Sequence, residues 1–289
     1  MRINYPKISI VTPNYNQDHY LEKAIRSILD QEYPNLEYII MDGGSIDKSV
    51  YIIEKYKSKL AYWISEKDNG MYDAINKGLQ KTTGEIMGWL NSDDMLVPGS
   101  LYTLAEIFNN IEVEWVQGQQ TLFDAQGRIY YSKPPDLRTK WEYLLKYYHH
   151  SPTPFIQQES TYWRRSLWLK AGGYVSTEYK LAGDFELWMR FFKHRNMFIT
   201  NSLIGGFRVH GMHQKSIKDQ MKYLTEADQI VANYRISEQE KMALDLLQRN
   251  KFVDRVPFLR RKRFQESRKY RNDYRQINWY PKIGKFKVG

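Results

Sequence analysis

Over the first hundred residues, short apolar runs alternate with amphipathic stretches. Residues 7–12 (KISIVT), 36–41, 60–65 and 86–90 each read as a strand, rich in β-branched and aromatic side chains, with 36–41 and 86–90 buried. Each run stops at polar, turn-forming residues: Pro13, Asn14, Tyr15 and Asn16 after the first, Asp42 and Gly43 after the second, residues 66–70 after the third, and Asn91 to Asp94 after the fourth. Between them the spacing predicts a helix over 18–30, with Leu21, Ala24, Ile25, Ile28 and Leu29 on one face. A second helix is expected with Ser45 as its N-cap and Asp47 in the first turn, and a third through Tyr72, Ile75 and Leu79. Strands alternating with helices at this spacing imply right-handed crossovers and an α/β fold with a mostly parallel sheet. The loops then gather along one rim, where open α/β sheets bind ligands.

Further on the pattern loosens. Residues 98–109 predict an amphipathic helix. Residues 115–131 predict two or three antiparallel strands around the turn at Asp124 to Gly127, extending the sheet. Residues 141–154 hold Trp141, Tyr143, Tyr147, Tyr148, His149 and His150, punctuated by Pro152 and Pro154. They read either as packing or as stacking surface for a sugar ring. A short helix begun near Arg164 ends at Gly172 and Gly173. Another opens at Gly183, Asp184, Phe185 and Glu186 and carries Leu187, Trp188, Phe191 and Phe192, and residues 204–209 make a last strand before His210. Beyond Ser216 the chain reads as helical and charged, with Met221, Leu224, Ala227 and Ile230 on one face. The expected division is a domain over 1–215, with halves at about 1–97 and 98–215, and a helical, basic extension over 216–289.

Charge changes the picture once it is located. The net charge is +10, but from Lys251 onward there are 13 basic and 3 acidic residues of the chain's 43 and 33, so residues 1–250 are balanced. That excludes a long polyanion such as nucleic acid along the main domain and fits a small anionic ligand at one site. The tail mixes the basic run Arg260, Arg261, Lys262, Arg263 with Phe252, Val256, Phe258, Leu259 and Phe264, a composition suited to an anionic bilayer surface, to a solvated helix or to a coiled-coil contact. The chain has no cysteine, which excludes disulfides and thiolate chemistry and suits the cytoplasm, and no stretch approaches a membrane span. No G-x-G-x-x-G or G-K-[ST] follows a strand, so neither a dinucleotide-binding fold nor a P-loop is expected.

The adjacent carboxylates Asp93 and Asp94 repel each other and predict a hard divalent cation, Mn2+ or Mg2+, held together with substrate phosphates. The alternative is a helix cap at Ser92 or Asp93. Asp42 reads either as a ligand-binding acid or as a turn acid capping the next helix, and Asp184 by position alone as an N-cap.

The segments SIVTPNYNQDHYLEKAIRSILDQ, YIIMDGGSIDKSV and SEKDNGMYDAINKGLQKTTGEIMGWLNSDD closely resemble the N-terminal half of bacterial family 2 glycosyltransferases. WRRSLWLKAGGYV, LAGDFELWMRFF and FRVHGMHQKS continue the likeness to about residue 216. The resemblance implies the GT-A fold and an inverting transfer from a nucleoside-diphosphate sugar to a saccharide or lipid-linked saccharide acceptor, in surface polysaccharide or glycolipid synthesis. It implies that Thr12, Pro13 and Tyr15 pack around the nucleoside, that Asp42 bonds the nucleobase, and that Asp68 faces the nucleotide. Asp93 matches the metal-ligating last acid of a D-x-D motif whose first position is here Asn91, with Asp94 able to assist. His210, with His213 as rival, matches a histidine completing the metal or diphosphate contacts. Asp184 matches the Asp of the family's E-D pair, the catalytic base, with Gly183 in place of the Glu. Lipid-linked acceptors add an expectation of peripheral attachment at the inner face of the cytoplasmic membrane. Two other readings are a sugar-nucleotide pyrophosphorylase, which needs a glycine-rich basic loop where this chain has Pro13 to Asn16, and a non-catalytic membrane or nucleic-acid binding module.

Overall fold

The first four strands form where their β-branched composition places them. The computed structural model describes residues 5–151, 155–211, 214, 218–248, 257–271 and 273–289. In order come β1 (Ile8–Asn14), α1 (Asp18–Leu29), β2 (Leu36–Asp42), α2 (Ser49–Tyr56), β3 (Tyr62–Ser65), α3 (Met71–Lys81) and β4 (Ile86–Trp89). β1 pairs in parallel with β2 and β4, and β2 with β3. β1 runs further than its apolar run predicts, because Pro13 and Asn14 pair with Met41 and Asp42. The β4 ladder ends opposite Val11, so the N–H that proline lacks interrupts no bond on that side. Ser45 does not cap α2, which begins at Ser49 after Lys48. Its hydroxyl donates instead to the Asp42 carboxylate, 2.6 Å away and a stronger acceptor than a neutral group.

The second half adds β5 (Met95–Leu96), α4 (Ser100–Phe108), β6 (Trp115–Gln117), β7 (Gln120–Phe123), β8 (Ile129–Lys133), α5 (Lys140–Leu144), β9 (Thr161–Arg164), α6 (Arg165–Lys170), α7 (Gly183–Phe192), β10 (Phe198–Ile199) and β11 (Gly205–Arg208). The C-terminal part holds α8 (Gln220–Asn233), α9 (Glu238–Leu247), α10 (Pro257–Arg271), β12 (Arg275–Tyr280) and β13 (Lys285–Val288). Nine strands order as β13-β12-β10-β6-β9-β4-β1-β2-β3, and a smaller sheet as β5-β11-β7-β8. Of the segments in 115–131, only β6 extends the main sheet, antiparallel to β9 and parallel to β10. β7 and β8 leave it for the smaller sheet, where β11 runs parallel to β7. Gly206 permits this approach: a Cβ there would stand 2.6 Å from the Thr121 carbonyl oxygen.

Four buried tryptophans fix α7 against the main sheet. Trp188 lies between Trp89 and Trp115, 5.9 Å from each with interplanar angles of 4° and 19°. Trp163 meets Trp89 and Trp188 edge-on at 5.5 Å. Such ring pairs contribute about 0.5–1.5 kcal/mol each beyond burial, which sets the depth of the helix bearing Asp184. Trp141, Tyr143 and Tyr148 are buried in the same core, so the packing reading of that stretch holds for them, while Tyr147, His149 and His150 face solvent.

The C-terminal extension is helical from α8 to α10 and then returns as strands, which its charge pattern does not predict. β12 pairs in parallel with β10, Ile277 is buried, and Asp273 accepts a bond from the Trp141 indole at 3.1 Å. Ala227 and Ile230 of α8 are buried as expected, but Met221 is 75% exposed. Pro152, Pro154, His213, Phe252 and Val256 lie outside the described residues.

Candidate active site

β1 pairs with both β2 and β4, so their carboxyl ends form one rim with Asp42 on one side and residues 91–94 on the other. Thr12 is buried with its hydroxyl 3.0 Å from that of Tyr38, Pro13 is buried, and Tyr15 is 60% exposed above them. Asp42 is buried and accepts five hydrogen bonds, from Asn14 Nδ2, the Ser45 and Ser65 hydroxyls, and the Gly44 and Ser45 N–H groups. It orders the turn rather than capping α2, and a nucleobase that bonds this carboxylate has to replace one of those donors. Asp68 lies directly against the backbone beyond it: a Cβ on Gly43 would be 2.6 Å from Asp68 Oδ2, while Oδ1 accepts from the Gly70 N–H at 2.8 Å. Sequence separates Asp42 and Asp68; the fold makes them neighbours.

On the other side, the two adjacent acids diverge. Asp94 is fully buried, with Oδ1 accepting from the Arg208 N–H at 2.8 Å and Oδ2 from Asn91 Nδ2 at 3.2 Å. Burial, with Glu159 and Asp93 close by, raises its pKa well above the usual carboxylate range. Glu159 is hydrogen-bonded to Asp94 and is itself pushed up to about 7 by burial. Two carboxyl groups in contact there require a proton between them, so the expected repulsion is relieved by protonation, and Asp94 ties residues 91–94 to β11. Neither Ser92 nor Asp93 caps a helix, since α4 starts later, behind Gly99.

Asp93 turns the other way. Its Oδ2 lies 3.1 Å from His210 Nε2, and His210 stacks on Tyr20 at a 4.1 Å centroid distance. Adjacent ligands of an octahedral Mg2+ or Mn2+ sit about 3 Å apart, so this pair fits two positions of one hard cation and leaves the others to phosphate and water. Among the described residues no group of three or more His, Cys, Asp or Glu forms a complete metal cage. Asn91 Oδ1 is buried with no hydrogen-bond partner among the described residues.

In the sequence Arg208 stands only as part of the segment FRVHGMHQKS, two residues before His210. It is fully buried, its guanidinium sits over Tyr20 at 5.2 Å, and none of its three side-chain nitrogens has a hydrogen-bond partner among the described residues. Burial lowers its pKa, opposed by Asp94 and Asp93. A buried cation with five unsatisfied donors beside these acids is built to meet further negative charge.

Asp184 sits in the first turn of α7, one residue inside the helix, whose cap position is Ala182. The N-cap reading therefore fails. Its Oδ1 is the oxygen engaged: the Phe185 N–H donates to it at 2.8 Å and the Tyr223 hydroxyl at 3.1 Å, with the Tyr72 hydroxyl oxygen 3.3 Å away. Burial pushes its pKa up to about 6, against the lowering effect of these donors. Glu159 lies within electrostatic reach of both Asp184 and Asp93. Glu159, Tyr72 and Tyr223 carried no signal in the sequence, because their partners are far away along the chain.

A sheet with five of its eight neighbouring pairs parallel, and with acids gathered on its carboxyl-end loops, is the GT-A architecture of glycosyltransferases. The sequence profile described as Glycosyl transferase family 2 matches residues 9–169, more than half of the chain. The chain belongs to that family. An uncharacterized glycosyltransferase of Rickettsia typhi is 28% identical over 214 residues, 71% of this chain and 64% of that protein. One of Haemophilus influenzae is 33% identical over 128 residues, 43% of this chain and 51% of its own length. The chain thus spans less than two thirds of these relatives. Among solved structures, S. aureus TarS 1–349 in complex with UDP aligns with a TM-score of 0.62 at 17% identity, covering 98% of this chain and 96% of that one. The mannosyltransferase PcManGT from Pyrobaculum calidifontis, in complex with GDP-Man and Mn2+, aligns at 0.63 and 15%, covering 83% and 68%. At these identities the likeness is one of fold.

Proposed function

We propose that this chain transfers a sugar from a nucleoside-diphosphate sugar to an acceptor hydroxyl in a single inverting displacement. The reading rests on one observation: an Asp93–His210 pair with cation-ligand spacing and a carboxylate, Asp184, held by the Phe185 N–H and the Tyr223 hydroxyl, both lie within electrostatic reach of the same buried Glu159. Thr12, Pro13, Tyr15, Asp42 and Asp68 form the nucleoside side and Asn91 the ribose side. Asp93 and His210 would hold a divalent cation, which when bound would neutralise diphosphate charge. Arg208 adds a fixed positive charge beside them. Asp184 Oδ2, which takes no bond among the described residues, accepts the acceptor's proton. The acceptor oxygen then bonds the anomeric carbon as the carbon–diphosphate bond breaks on the opposite face. TarS in complex with UDP-GlcNAc and PcManGT with GDP-Man and Mn2+ support a donor of this class.

A thermal-shift panel tests this. UDP, GDP, UDP-GlcNAc and GDP-mannose at about 100 times Kd are each worth about 2.7 kcal/mol, a shift of several degrees, and the stabilisation should require Mn2+ or Mg2+. No shift with any nucleotide in the presence of either metal would remove the reading.

The acceptor we propose is a saccharide or lipid-linked saccharide of surface polysaccharide or glycolipid synthesis, met at an anionic membrane surface. No helix of the described residues is long and apolar enough to cross a membrane. On α10, Phe258 and Phe264 are 73% and 60% exposed beside exposed Arg261, Lys262 and Arg268. Deleting the tail would uncover the sheet, because β12 is built into it, so point changes are the cleaner test. Arg261→Glu, Lys262→Glu and Arg268→Glu together should reduce sedimentation with phosphatidylglycerol vesicles by at least about 100-fold in partition coefficient, at about 1 kcal/mol per basic residue. Equal sedimentation of the triple variant would end the membrane role of α10.

A further inference from the structure

We infer that α8, which lies beyond the stretch matched by the family profile, positions the catalytic carboxylate through Tyr223 and Glu226. The inference rests on the assignment of Asp184 as the base. Tyr223 and Glu226 are three residues apart and therefore share one face of α8. The Tyr223 hydroxyl donates to Asp184 Oδ1 at 3.1 Å. The Glu226 carboxylate accepts from the Lys180, Leu181 and Ala182 N–H groups at 3.1, 2.9 and 2.8 Å, gripping the backbone that leads into α7. Those N–H groups lie at and before the helix start, where no intrahelical acceptor exists, so one side chain satisfies three orphan donors and fixes the angle at which α7 begins. Asp228, two residues on, accepts from the Tyr148 hydroxyl at 2.8 Å and pairs with Lys146 at 3.0 Å and with His149, which anchors α8 to the core from a second side.

The proton count around Asp184 gives Tyr223 a role that Tyr72 does not have. Tyr72 has one hydroxyl proton, and the Leu181 carbonyl at 2.6 Å claims it, leaving Asp184 facing a Tyr72 lone pair at 3.3 Å. Tyr223 has no such competitor among the described residues, so it is the side-chain donor that stabilises the ionised base. With Oδ1 occupied by Tyr223 and the Phe185 N–H, Oδ2 is the oxygen presented for proton transfer. Among the described residues, the charged or titratable groups facing Asp184 are Tyr72 from α3, Tyr223 from α8 and Glu159 from the turn before β9.

The test follows the Asp184 carboxyl by 13C NMR, with Asp184→Asn identifying its resonance, alongside hydrolysis of UDP-GlcNAc and GDP-mannose in Mn2+ and calorimetric UDP and GDP affinity. Removing a donor to the ionised form raises a carboxyl pKa, so Tyr223→Phe should move the Asp184 midpoint upward by about 0.5–1 pH unit. The acid limb of donor hydrolysis should move with it, and nucleotide affinity should stay unchanged. Glu226→Ala should lower turnover about tenfold at constant nucleotide affinity, and Glu226→Gln, which keeps an acceptor for the N–H groups, should recover most of it. An unmoved Asp184 midpoint in Tyr223→Phe, in a protein with wild-type melting behaviour, overturns the inference. If Asp184→Asn itself keeps full activity, it is the assignment of the base that fails, and the midpoint shift in Tyr223→Phe still reports the contact.

Discussion

Asp184→Asn is expected to lose sugar transfer by about 10²–10⁴-fold, the usual worth of a positioned general base, while its nucleotide affinity stays within about twofold. The amide keeps the acceptor oxygen that Phe185 and Tyr223 use, so α7 should stay in place. What it loses is the lone pair that takes a proton. In the wild type burial pushes this carboxyl up to about 6 from its ordinary 3.8, so kcat should fall as pH drops through 6, where the base becomes protonated. A limb near 4 would mean that an unperturbed carboxylate does the work. The same shift has a stability consequence. The folded state holds this proton up to a higher pH than the unfolded chain does, so folding loses stability as pH rises from about 4 to 6, and ionised Asp184 is a cost above that range. Asp184→Asn should therefore melt higher than wild type at pH 8, even though it is inactive. Full transfer by this variant would take Asp184 out of the mechanism, and a lower melting temperature would make it a structural residue.

Asp93→Ala should weaken Mn2+-dependent nucleotide binding by on the order of 10²-fold, with little effect on binding measured in a chelator. The contrast between the two titrations isolates the cation. Asp93 has the carboxylate turned toward His210, whereas Asp94 is turned inward to β11, where burial and Glu159 raise its pKa well above the usual carboxylate range. Asp94→Asn should accordingly leave the metal dependence intact. Equal calorimetric affinities for wild type and Asp93→Ala in Mn2+ would move the cation to another set of residues.

The parts of this arrangement that sequence could show are those written in a local period. β1 to β4 announce themselves as β-branched runs closed by polar turns, and the order of those turns places Asp42, Asp68 and Asp93 on one rim. Asp184 is legible as a base only through the resemblance to the family's E-D pair; the local pattern shows no more than the start of a helix with Phe185, Trp188 and Phe192 toward the core. The rest depends on tertiary neighbours. Tyr72 reaches Asp184 across 112 residues and Tyr223 across 39, and no spacing rule links a tyrosine in one helix to an acid in another. Arg208 reads as an ordinary strand arginine until its burial is known. The C-terminal hairpin was hidden by its lysines: Ile277 alternates with Gln276 and Asn278 as a strand should, but the surrounding charge made the whole tail look like a surface helix. Ser45 followed by Asp47 resembled a cap because the pattern does not reveal that a carboxylate three residues earlier competes for the hydroxyl.

The sandwich of Trp188 between Trp89 and Trp115 gives this protein a built-in optical reporter. Indoles stacked 5.9 Å apart and nearly parallel couple their excited states, which makes a strong near-ultraviolet dichroism band the expected signature of the seated helix. Loss of that band during a denaturant titration, measured against the far-ultraviolet signal, would time the undocking of the helix under the base without any label.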